Sequence, residues 1–214
     1  MTFRHKTIGL FITCLTATWT FTQAALVRFD FESETSLPVT SHPEILATEF
    51  TLSEGAVSFP GGNSGGDAIS GRSWNVSFGE RWWEFQITPS NPGSLLDLSR
   101  LQFDDRASGT GPTGWQIAVN GMAVGEEMAT HLEFSSNPMN EVDLDSPLFQ
   151  DLESATLRIY GFGAAGSSGT WRIDNVFLDG SVQAVPEPQQ WGVYSAIMVG
   201  LLIVGRRWRR SGLA

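Results

Sequence analysis

Apolar and polar side chains alternate with a period of two through the middle of the chain. The clearest alternation occurs at residues 27–32, 83–87, 115–119 and 157–160. Because successive side chains of a β-strand point to opposite faces, each stretch predicts a strand with one buried and one exposed face. Shorter strand predictions fall at residues 49–52, 56–59, 101–105, 131–134 and 171–178. About eight to ten short strands, separated by turns rich in Gly, Ser and Pro, predict an all-β fold, an antiparallel β-sandwich that is jelly-roll-like.

Two local features refine the predicted strands. The pair Asn120-Gly121 lies between two strand-like stretches and predicts a two-residue hairpin turn, in which both residues need positive φ. Within residues 171–178 the apolar phase slips by one residue at Asp174-Asn175, which predicts a β-bulge. Alternatively, Phe177 continues the first phase and the strand has no bulge.

The first 24 residues have the organisation of a secretory signal peptide. A short basic segment with Arg4 and Lys6 precedes an apolar stretch at residues 7–21, and Thr22-Gln23-Ala24 forms a small-x-small cleavage site. We therefore expect a signal helix that is removed by cleavage between Ala24 and Ala25. The alternative is a buried helix of the folded domain.

The other end of the chain contains an uncharged, mostly apolar stretch at residues 191–205, followed by Arg206, Arg207, Arg209 and Arg210. As a helix this stretch would be about 22 Å long, short of the ~30 Å hydrocarbon core, although flanking Trp and Arg side chains extend it. It predicts a single transmembrane helix with the arginines on the cytoplasmic side and the domain on the outer side. The alternative is a soluble amphipathic helix.

The motif Pro186, Glu187 and Pro188 stands directly before this span and its Arg cluster. In that order, the three elements resemble the PEP-CTERM sorting signal of exported bacterial proteins. The resemblance implies that the secretion machinery and an exosortase are partners, that membrane anchoring is transient, and that the domain reaches the cell surface or an extracellular matrix that contains exopolysaccharide. The resulting division is a signal peptide at residues 1–24, a β-sandwich at 25–185 and a sorting tail at 186–214.

The predicted domain is strongly acidic. Residues 25–185 contain seven arginines, no lysine and 22 acidic residues, which gives a formal net charge of −15. Nucleic-acid binding depends on basic side chains that neutralise phosphates, so this charge excludes it. The only cysteine, Cys14, lies in the signal peptide, so disulfides, cysteine-ligated zinc and cysteine nucleophiles are not expected in the mature domain.

Both ends of the predicted domain resemble the first and last strands of jelly-roll carbohydrate-binding modules. The residues that carry this resemblance are 28–32 and 171–176. It implies a structural calcium ion held by the carboxylates of Glu32 (or Asp30) and Asp174, with backbone carbonyls completing the oxygen ligands that calcium prefers. The alternative is that these acids are ordinary solvated side chains, and we expect no other cofactor.

Two aromatic residues suggest a binding surface. Trp82 and Tyr160 fall on the strand faces opposite the predicted core, where flat rings can stack on the apolar faces of sugars. Alternatively, bends or loops bury both rings. We predict a non-catalytic protein of the cell envelope or matrix that associates with exopolysaccharide.

Two other functions stay open. One is a glycan hydrolase that uses paired carboxylates, for which Glu84, Asp104 and Asp105 are the first candidates. The other is a purely structural matrix protein without a ligand pocket. His-Glu-x-x-His does not occur in the chain, which argues against metalloprotease chemistry. Gly62-Asn63-Ser64-Gly65-Gly66 has the spacing Gly-x-Ser-x-Gly, but it lies in a Gly-rich stretch that predicts a long surface turn, not the strand-to-helix turn of a serine hydrolase.

Overall fold

The computed structural model describes residues 24–62, 66–133 and 140–184. Within these ranges the chain forms twelve strands. In chain order they are β1 (Ala24–Phe29), β2 (Thr40–Ser41), β3 (Ile45–Ala47), β4 (Thr51–Leu52), β5 (Ile69–Arg72), β6 (Trp82–Pro89), β7 (Ser94–Ala107), β8 (Gly114–Val119), β9 (Met122–Ala129), β10 (Asn140–Asp143), β11 (Ala155–Phe162) and β12 (Thr170–Ala184).

The strands form two antiparallel six-stranded sheets that pack face to face. The first sheet has the order β10-β7-β12-β1-β2, with β5 also paired to β12. The second has the order β3-β6-β11-β8-β9, with β4 also paired to β6. The predicted all-β antiparallel sandwich is therefore confirmed, whereas its jelly-roll connectivity stays a prediction.

Large aromatic side chains fill the space between the sheets. Among the described residues, the fully buried ones are Phe29, Phe31, Phe50, Trp74, Trp83, Phe85, Phe103, Trp115 and Trp171. The Trp74 and Trp171 rings meet edge to face, with their centroids 5.0 Å apart. This contact depends on Gly161 in β11, because a Cβ there would lie 2.8 Å from Trp74 and 3.0 Å from Trp171.

The two predicted local features are both confirmed. Asn120 and Gly121 have φ angles of 50° and 81° and connect β8 to β9. The pairing of β12 with β7 shifts between Asp174 and Phe177, and Asn175 has a φ of 49°. This bulge lets residues on both sides of it point into the core although they belong to different phases of the alternation.

Several predicted strands differ from the observed ones. The strand predicted at residues 27–32 ends at Phe29, because Phe31, Ser33 and Glu34 all have positive φ and turn the chain away from the sheet. Phe31 nevertheless fills the core from this turn, which explains why the apolar pattern continues past the end of the strand.

The strand predictions at residues 131–134 and 56–59 are wrong. Residues 131–133 lie outside any strand, and the backbone N–H and the ring Nδ1 of His131 contact the buried Asp105 carboxylate. Residues 56–59 contribute only an isolated bridge between Ser58 and Ser70. The strand predicted at 49–52 is limited to Thr51–Leu52, whereas that at 101–105 extends over Ser94–Ala107.

The predicted ends of the chain lie mostly outside the described residues. This holds for residues 1–23 and for the tail with Pro186, Glu187, Pro188 and its Arg cluster. Ala24 and Ala25, at the predicted cleavage site, begin β1 and pair with β12. Across the described ranges, no helix has the length and apolar character needed to cross a membrane.

Candidate functional site

The outer face of the second sheet carries a row of aromatic side chains. The register of β6, β11 and β8 places Trp82 opposite Tyr160, and Tyr160 opposite Gln116. Phe162, two residues after Tyr160, points to the same side of β11, since side chains alternate along a strand. Phe78 reaches this face from the loop before β6. We call Phe78, Trp82, Tyr160 and Phe162 the aromatic strip.

Neighbouring rings of the aromatic strip contact one another. The centroid of Tyr160 lies 5.7 Å from that of Trp82 and 5.7 Å from that of Phe78, and Phe78 lies 5.4 Å from Phe162. Phe78 is 52% exposed, and the other three rings are half-buried. Trp82 and Tyr160 thus lie side by side outside the core. The strip is a continuous apolar surface exposed to solvent.

Glycine at position 114 lets the strip lie close to the sheet. Phe162 pairs with Gly114 of β8, and a Cβ at Gly114 would lie 2.5 Å from the Phe162 ring. Any larger residue at this position would push the ring away from the sheet. Sequence reasoning missed Phe78 and Phe162, because Phe78 lies in a loop and Phe162 next to a Gly-rich turn.

An ion pair holds the Trp82 indole in place. Glu84 and Arg158 are opposite each other on β6 and β11, with 2.5 Å between the Glu84 Oε2 and the Arg158 Nε. The guanidinium carbon of Arg158 lies 4.8 Å from the centroid of the Trp82 ring, and the indole Nε1 donates to the same Glu84 oxygen at 3.3 Å. A hydrogen bond to Glu84 raises the pKa of Arg158 above its usual value, and a hydrogen bond to Tyr160 makes a smaller contribution in the same direction.

The three candidate hydrolase carboxylates do not meet. Glu84 faces outward from the second sheet, whereas Asp104 and Asp105 belong to β7 in the first sheet. Asp105 points inward, where it accepts hydrogen bonds from Trp171 and Asn140. Asp104 is on the other face of β7, and in the strand register it lies opposite Asp174 of β12. These three carboxylates therefore do not form a glycosidase pair.

The expected calcium ligands have neighbours of their own within the chain, and the calcium site stays a prediction. Asp30 accepts a hydrogen bond from the backbone N–H of Glu32 and lies 3.9 Å from Arg28. Asp174 accepts from the backbone N–H of Asn175 at 2.7 Å. Glu32 follows the positive-φ turn at Phe31 and packs against Gly66, where a Cβ would clash with its carboxylate. In the described part of the chain, no group of three or more His, Cys, Asp or Glu residues is arranged to hold a metal ion.

No protein-family model and no curated protein sequence matches this chain. The solved structures with low identity to it include carbohydrate-binding modules and an enzyme. A mutant of the family 29 module CBM29-2 in complex with mannohexaose shares 16% identity at a TM-score of 0.39 and covers 74% of this chain and 93% of its own. The CBM22-1 xylan-binding domain of Paenibacillus barcinonensis Xyn10C shares 10% at a TM-score of 0.46, over 78% of this chain and 100% of its own.

A Paenibacillus xanthan lyase shares 19% identity at a TM-score of 0.41, over 73% of this chain and 13% of its own. These low values describe a distant likeness in shape. The ligands and activity named for those proteins belong to those proteins.

Proposed function

We propose that this chain is an exported, non-catalytic protein whose aromatic strip binds a polysaccharide. The observation that carries the proposal is the row of four contacting rings on a solvent-exposed sheet face. The core does not need these rings, because the opposite face of the same strands already buries Trp83, Phe85 and Ile159. An exposed apolar row of this kind is typical of a ligand surface.

The chemistry of the strip suits sugars. Aromatic rings stack on the C–H faces of pyranose rings, while neighbouring polar groups bond the hydroxyls. Arg158, Glu84 and Gln116 stand beside the strip and supply donors and acceptors. Because Glu84 compensates the charge of Arg158, this surface favours a neutral polysaccharide over a charged one.

Contacts within the protein hold the Trp82 ring of the strip in place. Trp82 is fixed from one side by the Arg158 guanidinium and through its Nε1 by Glu84. A side chain that is already ordered loses little conformational entropy on binding, which favours affinity. This argument distinguishes the strip from isolated exposed apolar residues such as Leu46, which is 64% exposed on the edge strand β3.

Affinity electrophoresis tests this proposal. The full chain is run through gels that contain xylan, mannan or a mixed-linkage β-glucan, and we expect retardation in at least one of them. The Trp82→Ala and Tyr160→Ala variants are expected to lose it. Leu46→Ala is the matched control: it removes an exposed apolar side chain about 20 Å away along the same sheet face and is expected to behave like the wild type.

The same experiment separates the two alternatives. Retardation in none of the gels contradicts the proposal and favours a purely structural matrix protein. Release of reducing sugars by the wild type, lost on Glu84→Gln, would instead favour a hydrolase.

We further propose that residues 1–24 direct export and that residues 186–214 are recognised by an exosortase, which places the domain at the cell surface or in the matrix. The support is the order of Pro186, Glu187 and Pro188, an apolar span and four arginines. Mass spectrometry of the protein from its native host tests this proposal. We expect a first residue of Ala25 and a C-terminus near Pro186, whereas an exported chain that still ends at Ala214 contradicts exosortase processing.

A further inference from the structure

The arginines of the domain divide into two groups by their partners. Three of the seven form an ion pair: Arg28 with Asp30, Arg100 with Asp179 and Arg158 with Glu84. A fourth, Arg81, donates to the backbone carbonyl of Glu54; burial lowers its pKa, and the nearby Glu54 carboxylate acts to raise it. The other three are Arg72, Arg106 and Arg172, and among the described residues none of them forms an ion pair. In a domain with 22 acidic residues, three arginines without a carboxylate partner are unexpected.

These three arginines lie together at one end of the first sheet. Arg106 of β7 is directly opposite Arg172 of β12, and Arg72 of β5 is opposite Thr170 of the same strand β12. The neighbouring residues Ala107 and Trp171 point into the core, so the arginines point outward. The register therefore gathers positive charge from three adjacent strands on the outer face of the first sheet.

Backbone carbonyls hold two of the guanidinium groups. Arg172 donates from Nη1 to the Gly61 carbonyl at 2.9 Å, and Arg106 donates from Nε to the Leu132 carbonyl at 3.2 Å. A guanidinium has five N–H donors, so each arginine keeps further donors for a ligand. An open pocket of about 370 Å³ lies between them, lined also by Ser108, Thr170 and Leu132. This volume is in the lower part of the range of small-molecule sites.

Two positive charges face each other across this pocket. Like charges on directly opposite strand residues repel each other. Burial lowers the pKa of the Arg172 guanidinium, and the charge of Arg106 lowers it further. Asp104 and Asp174 lie on the same face, one row further along the strands, and both accept hydrogen bonds from Asn175. An anion placed between the two arginines would relieve this repulsion.

We propose that the pocket between Arg106 and Arg172 binds the carboxylate of an acidic sugar, a uronic acid unit. A planar guanidinium matches a carboxylate with two parallel hydrogen bonds. Ser108 and Thr170 place hydroxyl groups at the pocket, where sugar hydroxyls can bond to them. A nucleic acid is excluded, because binding its phosphate backbone needs many basic side chains and the net charge of the domain is −15. The choice of a sugar as carrier of the carboxylate rests on the proposed function.

Isothermal titration calorimetry of the full chain with glucuronate at low ionic strength tests this inference. We expect saturable binding of glucuronate and none of glucose, which lacks the carboxylate. Arg106→Gln and Arg172→Gln are each expected to weaken binding by about tenfold or more, as the loss of a charge-assisted hydrogen bond implies. Arg100→Gln is the matched control, since it removes an arginine from the outer face of the same sheet that is paired with Asp179.

Four results would overturn the inference: no binding of glucuronate, unchanged affinity in both pocket variants, equal binding of glucose, or equal binding of acetate or sulfate. Thermal unfolding of each variant verifies that it is folded. The site is on the sheet opposite the aromatic strip, so Trp82→Ala is expected to leave glucuronate binding unchanged. If neutral polysaccharides fail to bind and glucuronate binds, the aromatic-strip proposal fails and this one survives.

Discussion

Asp105 accepts the indole N–H of Trp171 with 2.9 Å between Oδ2 and Nε1, and both side chains are buried. The same carboxylate accepts from the Asn140 amide at 2.8 Å and lies 2.6 Å from the Nδ1 of His131. A buried carboxylate is tolerated only when its lone pairs are used, and here they are. Asp105 therefore ties β7 to β10, to β12 and to the segment after β9.

Replacement of this carboxylate is expected to be strongly destabilising. Asp105→Ala leaves the Trp171 indole and the Asn140 amide without an acceptor, so we expect a loss of about 3 kcal/mol or more in the free energy of unfolding. Urea denaturation followed by tryptophan fluorescence measures it. Asp145→Ala, which truncates an exposed aspartate, is the control and is expected to change stability by less than about 0.5 kcal/mol. Equal stability of the two variants would contradict the role assigned to Asp105.

Any side chain at position 161 is expected to lower the stability of the protein. Gly161→Ala places a methyl group within 3.0 Å of two buried indole rings, so we expect a loss of about 1–3 kcal/mol from overpacking. The control is Gly166→Ala in the following loop, where a Cβ meets nothing within 4 Å. Thermal unfolding of both variants, measured side by side, tests the difference. If Gly161→Ala has the same melting temperature as Gly166→Ala and the wild type, the close approach of Trp74 and Trp171 to β11 does not restrict the residue at position 161.

The turn between β8 and β9 allows a test of backbone conformation alone. Gly121 has a φ of 81° and its Cβ position is open, so Gly121→Ala changes no packing. We expect it to cost about 1 kcal/mol because L-residues disfavour positive φ. Gly121→Asn is expected to cost less, since Asn tolerates this region better. Urea midpoints measure both variants, and the reverse order would argue against the observed turn.

Arg158 is expected to affect polysaccharide binding more than stability. The pair with Glu84 is partly exposed, so Arg158→Gln should change the free energy of unfolding by less than about 1 kcal/mol. The variant loses the cation–π contact that orients Trp82, worth roughly 0.5–1 kcal/mol at an exposed site, and we expect an affinity lower by about two- to fivefold. Affinity electrophoresis and urea denaturation together measure the two effects. A variant that binds like the wild type would show that Trp82 needs no such support.

The sequence alone was sufficient for features that depend on neighbouring residues. The period of two placed Trp83, Phe85 and Ile159 in the core, and the pair Asn120-Gly121 predicted its hairpin. The phase slip at Asp174 predicted the bulge in β12. These features are local because strand alternation and turn conformation depend on residues a few positions apart. At Phe31 the same pattern predicted a longer strand, which is wrong because Phe31 reaches the core from a turn.

Only the tertiary structure decided which residues meet. Arg106 and Arg172 are adjacent because β7 and β12 pair in one register, and Tyr160 reaches Trp82 in the same way. Asp105 was a candidate catalytic acid by sequence, yet its partners place it in the core. The alternation determines the face of a strand on which a side chain lies, but strand order and register determine its neighbours. Both depend on contacts between distant residues, which a local pattern does not contain.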